Sequence, residues 1–154
     1  MQKPLTEKRL ENIALYYLEQ FDTSAEKLRQ VLTRRVRRQK IQGIVVDPKV
    51  TQWIENVVQK VTQLGYVNDE RYAENAVRRL SQSGKSARFI QQKLMADGIA
   101  PDEIEKHLST DEDLDRARVF AQKKHLGRDY QKDLAKLARA GFSYETAQEV
   151  LKGE

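Results

Sequence analysis

The chain has 154 residues, of which 39% are hydrophobic and 33% charged, with 28 Lys and Arg against 23 Asp and Glu. The charged share stands above the roughly 25% of ordinary soluble domains. The net charge of +5 favours an anionic partner: nucleic acid, an acidic protein surface or an anionic membrane. No cysteine is present, which excludes disulfides and thiolate metal sites and favours a reducing compartment.

From Met1 to Leu10 the chain carries Lys3, Glu7, Lys8 and Arg9 with no apolar h-region behind them, unlike a secretory signal. No apolar run approaches the ~20 residues that span a bilayer. A cytoplasmic protein with no membrane partner is expected. Leu10, Ile13, Ala14, Tyr17, Leu18 and Phe21 recur at spacings of three and four, which predicts a first helix from about Leu5 to Gln20. Thr23 or Ser24 can cap the second, with Glu26 completing a capping box from Thr23. Leu28, Val31, Leu32 and Arg35 share its face as far as about Lys40. The apolar Ile44-Val45-Val46 has no second strand to pair with and reads as a loop packed on the helices. Asp47-Pro48 is expected to start a third helix, with Pro48 at its first position. Val50, Trp53, Ile54, Val57, Val58 and Val61 line that helix, Trp53 as a core residue, and Leu64-Gly65 closes it.

Asn68 or Asp69 opens a fourth helix through Tyr72, Ala73, Ala76, Val77 and Leu80, broken at Ser83-Gly84. Ser86 caps a fifth, with Phe89, Ile90 and Leu94 inward and Gly98 ending it. Pro101 begins a short sixth with Ile104 and Leu108. The acids Asp111, Glu112 and Asp113 favour a helix start, and the seventh helix is expected to run through Leu114, Ala117, Phe120 and Ala121 to Gly127. The eighth spans about Tyr130 to Arg139 and ends at Gly141. Ser143 caps the ninth, which buries Ala147, Val150 and Leu151.

The pattern repeats. At an offset of 43, Leu94, Gly98, Ile99 and Ile104 fall on Leu137, Gly141, Phe142 and Ala147, while Val77 falls on Phe120. At an offset of 62, Ser24, Leu28 and Leu32 fall on Ser86, Ile90 and Leu94. Each repeat reads as a long helix, a second helix, a Gly-plus-apolar turn and a short helix. Neighbouring repeats must stack, because one alone buries little. The expected fold is all-α, a tandem array of three three-helix repeats over residues 1–64, 65–109 and 110–154, elongated and curved.

Charge follows the repeat. Three acid-free windows hold 17 of the 28 bases. The first carries Lys27, Arg29, Arg34, Arg35, Arg37, Arg38 and Lys40. Arg78, Arg79, Lys85, Arg88 and Lys93 fall in the second, and Arg116, Arg118, Lys123, Lys124 and Arg128 in the third. Lys27, Arg34, Arg37 and Arg38 lie within about 100° of one helix face. Charged helix faces are ordinarily just solvated, yet one basic window per repeat suggests a surface for a nucleic-acid backbone or an acidic protein groove. The candidate contact residues are Lys27, Arg34, Arg37, Arg38, Lys40, Arg78, Arg79, Lys85, Arg88, Lys93, Lys123, Lys124 and Arg128. Aromatic residues are few beside them, so base stacking is poorly supported.

Motifs for chemistry fail. Ser83-Gly84-Lys85-Ser86 has Arg79 where a phosphate-binding loop needs glycine, and a helix precedes it instead of a strand. Asp111, Asp113 and Asp115 imitate a calcium loop, but Arg116 stands at its glycine position and Gln122 at its closing glutamate. His107 and His125 are far apart and form no dyad. No cofactor, metal or catalytic residue is expected, and the chain reads as a binding protein without enzymatic activity.

The segment Leu64-Gly65-Tyr66-Val67-Asn68-Asp69-Glu70-Arg71-Tyr72-Ala73 resembles the signature of the RecX family. So do Gly84-Lys85, Ile90, Lys93-Leu94, Gly98 and Ile99 after it. Leu137 to Tyr144 resembles that family's C-terminal repeat, and Ala14-Leu15, Leu18 and Ser24 to Leu28 its opening one. The resemblance implies an array of three-helix repeats that binds RecA–DNA filaments and restrains recombination and the SOS response. The basic windows would then meet the filament's DNA phosphates or acidic RecA residues, and a monomer is expected. The first repeat departs most, through Arg34–Lys40 and Ile41–Val46. The alternative from the residues alone is a stand-alone helical DNA-binding protein.

Overall fold

The computed structural model describes residues 3–152. Among them the fold is all-α: α1 Glu7–Gln20, α2 Ala25–Ile41, α3 Val50–Gln63, α4 Asp69–Gln82, α5 Ala87–Ala96, α6 Pro101–His107, α7 Asp113–Lys123, α8 Tyr130–Arg139 and α9 Tyr144–Lys152, with a 3-10 helix at Thr110–Glu112. The expected all-helical repeat organisation holds. No described helix is long and apolar enough to cross a membrane. The chain forms two compact units that part inside α4, between Tyr72 and Ala73.

In the first unit α1, α2 and α3 pack on one another. The 3.6-residue period puts Leu10 and Ala14 of α1, Leu28 and Leu32 of α2, and Val57, Val58 and Val61 of α3 into one core. Leu10, Leu28 and Leu32 are fully buried, and each contributes roughly 2 kcal/mol of apolar burial. Trp53 packs against this core as expected. α1 starts later than its apolar stripe, because the Thr6 hydroxyl accepts the Arg9 N–H at 3.2 Å and fixes the cap there. Leu5 is still buried. Its N–H donates to the buried Gln39 Oε1 at 3.1 Å, and the Gln39 amide donates back to the Lys3 carbonyl at 2.8 Å.

Three expected boundaries shift in this unit, each for a local reason. Ser24, not Thr23, caps α2, accepting the Lys27 N–H at 3.1 Å. The Thr23 hydroxyl donates to the Ser24 carbonyl instead, and Glu26 turns to Arg29, so no capping box forms. Pro48 lies in a turn ahead of α3, which starts at Val50. The Asp47 carboxylate accepts the Lys49 N–H at 2.8 Å and folds that turn, moving the helix start past the proline. Ile44-Val45-Val46 is a loop, but only Val46 of the trio packs on the core, and Val45 points to solvent.

In the second unit the 43-residue offset is visible as burial. Leu94 and Leu137 are both fully buried, as are Ile99 and Phe142 nearly, and Ile104 and Ala147. Gly98 and Gly141 both take positive φ, 82° and 100°, the left-handed conformation of a helix C-terminus. The 3-10 turn at Thr110–Glu112 takes up the first two of the three acids, so α7 begins at Asp113. It ends at Lys123, short of Gly127, because His125 adopts φ 55° and occupies the terminating position. The Leu126 N–H donates to the Ala121 carbonyl at 2.9 Å and completes that cap. Gly84 has a second reason to be glycine: a Cβ there would lie 2.8 Å from the Phe120 backbone nitrogen.

Candidate interaction surface

The basic windows sit on helix faces whose opposite sides are nailed to a core. On α2, Leu28, Leu32, Val36 and Gln39 are buried. At 100° per residue this directs Arg34, Arg37 and Arg38 to the other side. All three are exposed, as is Lys40. None of the four makes an ion pair among the described residues. Arg37 and Lys40 also edge a shallow groove between α2 and α3, with Val36, Val50 and Ile54 in its floor and Glu55 on its far wall.

Of the rest of the first window, Arg35 is half-buried, and Arg29 and Lys27 are already engaged. Arg29 is pinned between two carboxylates, with Nε donating to Glu55 at 2.6 Å and Nη1 to Glu26 at 2.6 Å. The Glu55 contact, with Glu26 adding to it, raises its pKa above the ordinary arginine value. Lys27 is half-buried, with its ammonium over the Tyr72 ring at 5.6 Å from the centroid. The positive charge open to a partner is therefore concentrated in the C-terminal half of α2. Beside it two large aliphatic side chains face solvent, Ile41 at 80% exposure and Val45 at 84%. Periodicity cannot reveal this, because an apolar residue at a helix end reads alike whether it faces core or water.

In the second unit the bases divide in the same way. Arg78 donates to the Asn75 carbonyl oxygen of its side chain at 2.6 Å. Lys85 lies over the Phe89 ring at 4.9 Å. Lys93 is paired with the buried Asp97 at 3.2 Å, and the Lys123 ammonium donates to the Ser83 carbonyl at 3.4 Å. Arg79, Arg88, Lys124 and Arg128 are exposed without an ion pair among the described residues.

Arg116 belongs to the structure and not to a surface. It is 2% exposed. Its guanidinium donates to the Ser81 hydroxyl at 2.9 Å, the Ser109 carbonyl at 2.7 Å, Asp113 at 3.0 Å and Glu112 at 3.3 Å. That is four of the five donors of a rigid fork, which ties α4, the 3-10 turn and α7 together. A charge count along the chain cannot separate such a residue from its solvated neighbours.

The two histidines have separate local roles. His107 Nε2 lies 3.0 Å from Glu103, one turn earlier on α6, and His125 ends α7.

The chain is similar in sequence and in fold to known proteins of one family. A family model described as RecX, second three-helix domain, matches residues 68–108. The chain is 38% identical over 157 residues to "Regulatory protein RecX" of Myxococcus xanthus, covering 92% of this chain and 83% of that one. It is 32% identical over 149 residues to "Regulatory protein RecX" of Agrobacterium fabrum, covering 91% and 80%. Among solved structures, RecX from Lactobacillus salivarius superposes with a TM-score of 0.63 at 20% identity, over 95% of this chain and 94% of that one. At this identity the likeness is one of fold.

Proposed function

Since the chain belongs to the RecX family of regulatory proteins, we propose that it is a non-enzymatic, negative modulator of RecA that binds RecA–DNA filaments and restrains recombination and SOS activity. The single observation that carries the contact is the face of Arg34, Arg37, Arg38 and Lys40, four exposed cations that no carboxylate answers among the described residues. Arg79, Arg88, Lys124 and Arg128 extend the same character to the second unit, with Lys27, Arg78, Lys85, Lys93 and Lys123 as partly engaged contributors. The repeats at 1–64, 65–109 and 110–154 would each bring one such window to the filament, the protein acting as a cytoplasmic monomer.

The experiment is RecA strand exchange and DNA-dependent ATPase activity with this protein added below the RecA concentration. Both activities fall if the reading is right. No effect across a salt series sinks it. The second reading, a helical protein that binds DNA alone, is favoured by the +5 net charge. It requires tight binding to naked DNA with a steep salt slope.

A further inference from the structure

We infer that the last turn of α2 and the loop behind it form a mixed basic and apolar docking surface for an acidic face of a protein, with Ile41 and Val45 as its apolar anchors. This rests on the proposed filament binding and specifies which component of the filament the first unit meets: protein, not DNA.

The α2 part of the surface is continuous by helix geometry, and Val45 follows in the loop four residues after Ile41. Ile41 follows Arg38 by three residues and Arg37 by four, and Arg34 precedes them by the same spacings, so the four side chains are neighbours on one face. The arginines at those spacings repel one another. No acid stands between Lys27 and Val46; of the carboxylates around the run, Glu26 and Glu55 are committed to Arg29, and Asp47 accepts the Lys49 N–H in its own turn. Like charge is thus gathered at one helix end without internal compensation, and a partner's carboxylates are the missing half. Local rules broken in this way are a mark of functional surface.

The apolar pair decides between partner classes. Ile41 and Val45 are more exposed than Tyr16, Phe21, Leu64, Tyr66 or Met95. A phosphate backbone offers such aliphatic side chains nothing to bury against. Reading of single-stranded bases uses aromatic platforms, and no aromatic residue occurs between Phe21 and Trp53. Arginines around a small apolar centre are instead the composition of a protein–protein contact, in which the apolar centre is desolvated and charge sets register. Charge complementarity makes that protein surface acidic.

The test compares the full-length chain with two variants, Ile41→Ser combined with Val45→Ser, and Arg34→Glu combined with Arg37→Glu and Arg38→Glu. Binding is measured to RecA filaments assembled on single-stranded DNA, to the same DNA without RecA, and to phosphatidylserine vesicles. Circular dichroism confirms unchanged helicity. The serine variant should bind the filament about tenfold more weakly with the salt slope of the parent, and naked DNA within about twofold of the parent. The charge-reversed variant should lose filament binding and its salt dependence together. Full filament affinity in the serine variant overturns the inference. So does an equal loss on naked DNA, which would make the pair a wedge in nucleic acid, or vesicle binding that the serine variant abolishes. Failure of the parent chain to bind the filament removes the proposed function and this inference together. Filament binding by the parent with an unaffected serine variant removes the inference alone.

Discussion

The Asp69 carboxylate accepts the backbone N–H of Ala25 at 2.9 Å across 44 residues of sequence, closing the N-terminus of a helix to which it does not belong. Ser24 caps α2 from within, and Asp69, the first residue of α4, caps it from outside. The same pair recurs one repeat later. Ser86 accepts the Phe89 N–H at 3.1 Å, and Asp113, the first residue of α7, accepts the Ala87 N–H at 2.8 Å. Helix N-termini leave unpaired N–H groups and carry partial positive charge, so a carboxylate there is a charge-assisted acceptor. Asp69→Ala should destabilise the first unit by about 2 kcal/mol, and Asp69→Asn by less. Urea unfolding measures both, and a loss below about 0.5 kcal/mol in the alanine variant contradicts the assignment.

His125 occupies a left-handed position that glycine fills at Gly43, Gly65, Gly84, Gly98 and Gly141. A side chain with a Cβ is strained in that region, by roughly 1–2 kcal/mol. Relief of the strain is partly offset by the freedom that glycine adds to the unfolded chain. His125→Gly is expected to stabilise the protein by about 0.5–1 kcal/mol. Thermal melting would detect this as a rise in midpoint, and a fall would show that the ring makes a contact that matters.

Gly141 is the opposite case. A Cβ there would come within 2.5 Å of the Ser86 hydroxyl oxygen, with φ at 100°. That hydroxyl also donates to the Ala140 carbonyl at 2.8 Å, so it cannot step aside without losing a bond. Gly141→Ala should cost about 2 kcal/mol or more. Combining it with Ser86→Gly should recover part of the loss, and additive losses in a double-mutant cycle would refute the steric cause.

Arg116 anchors four acceptors from inside the protein. Removing a buried charge with such partners typically costs about 3–5 kcal/mol. Arg116→Lys should rescue little, since an ammonium cannot reproduce the planar fork. Equal stability of the lysine variant and the parent would show that only the charge is needed.

Glu11 accepts from the Lys60 ammonium at 2.6 Å. That bond above all holds the Glu11 carboxyl below the ordinary glutamate range; desolvation opposes it, and the charges of Lys60 and Lys8 assist. A carboxyl whose pKa is lower when folded adds stability above its unfolded pKa and loses it as pH falls through the folded one. The difference in melting temperature between the parent and Lys60→Met should therefore be present at neutral pH and vanish in acid. A difference that persists below the folded pKa would assign the effect to packing of the lysine stem.

Much of the fold was legible because burial follows period. Ser24, Leu28 and Leu32 superimpose on Ser86, Ile90 and Leu94 in the sequence, and all six are fully buried. What stayed hidden depends on contacts between distant residues. Nothing near Asp69 or Asp113 announces a bond to a helix start tens of residues earlier. Arg116 looks like its solvated neighbours until Ser81, Ser109 and Asp113 surround it. The exposure of Ile41 and Val45 is hidden for another reason: apolar character marks a core by default, and only the direction of the last α2 turn reveals the exception. The candidate surface was thus readable as charge and unreadable as the mixed surface it is.

The borrowed aspartates also set an order of assembly. A chain is made from its N-terminus, and helices formed early can pack before later ones exist. Here α1, α2 and α3 can gather as soon as residue 63 has emerged, but the start of α2 is left short of an acceptor until Asp69 follows. The start of α5 waits for Asp113 in the same way. The start of α8, by contrast, takes its carboxylate from its own turn, Asp129, which accepts the Lys132 N–H at 3.3 Å. Each group of helices is therefore finished by the synthesis of the next, and a nascent chain stalled between residues 63 and 69 carries a frayed second helix under its basic face.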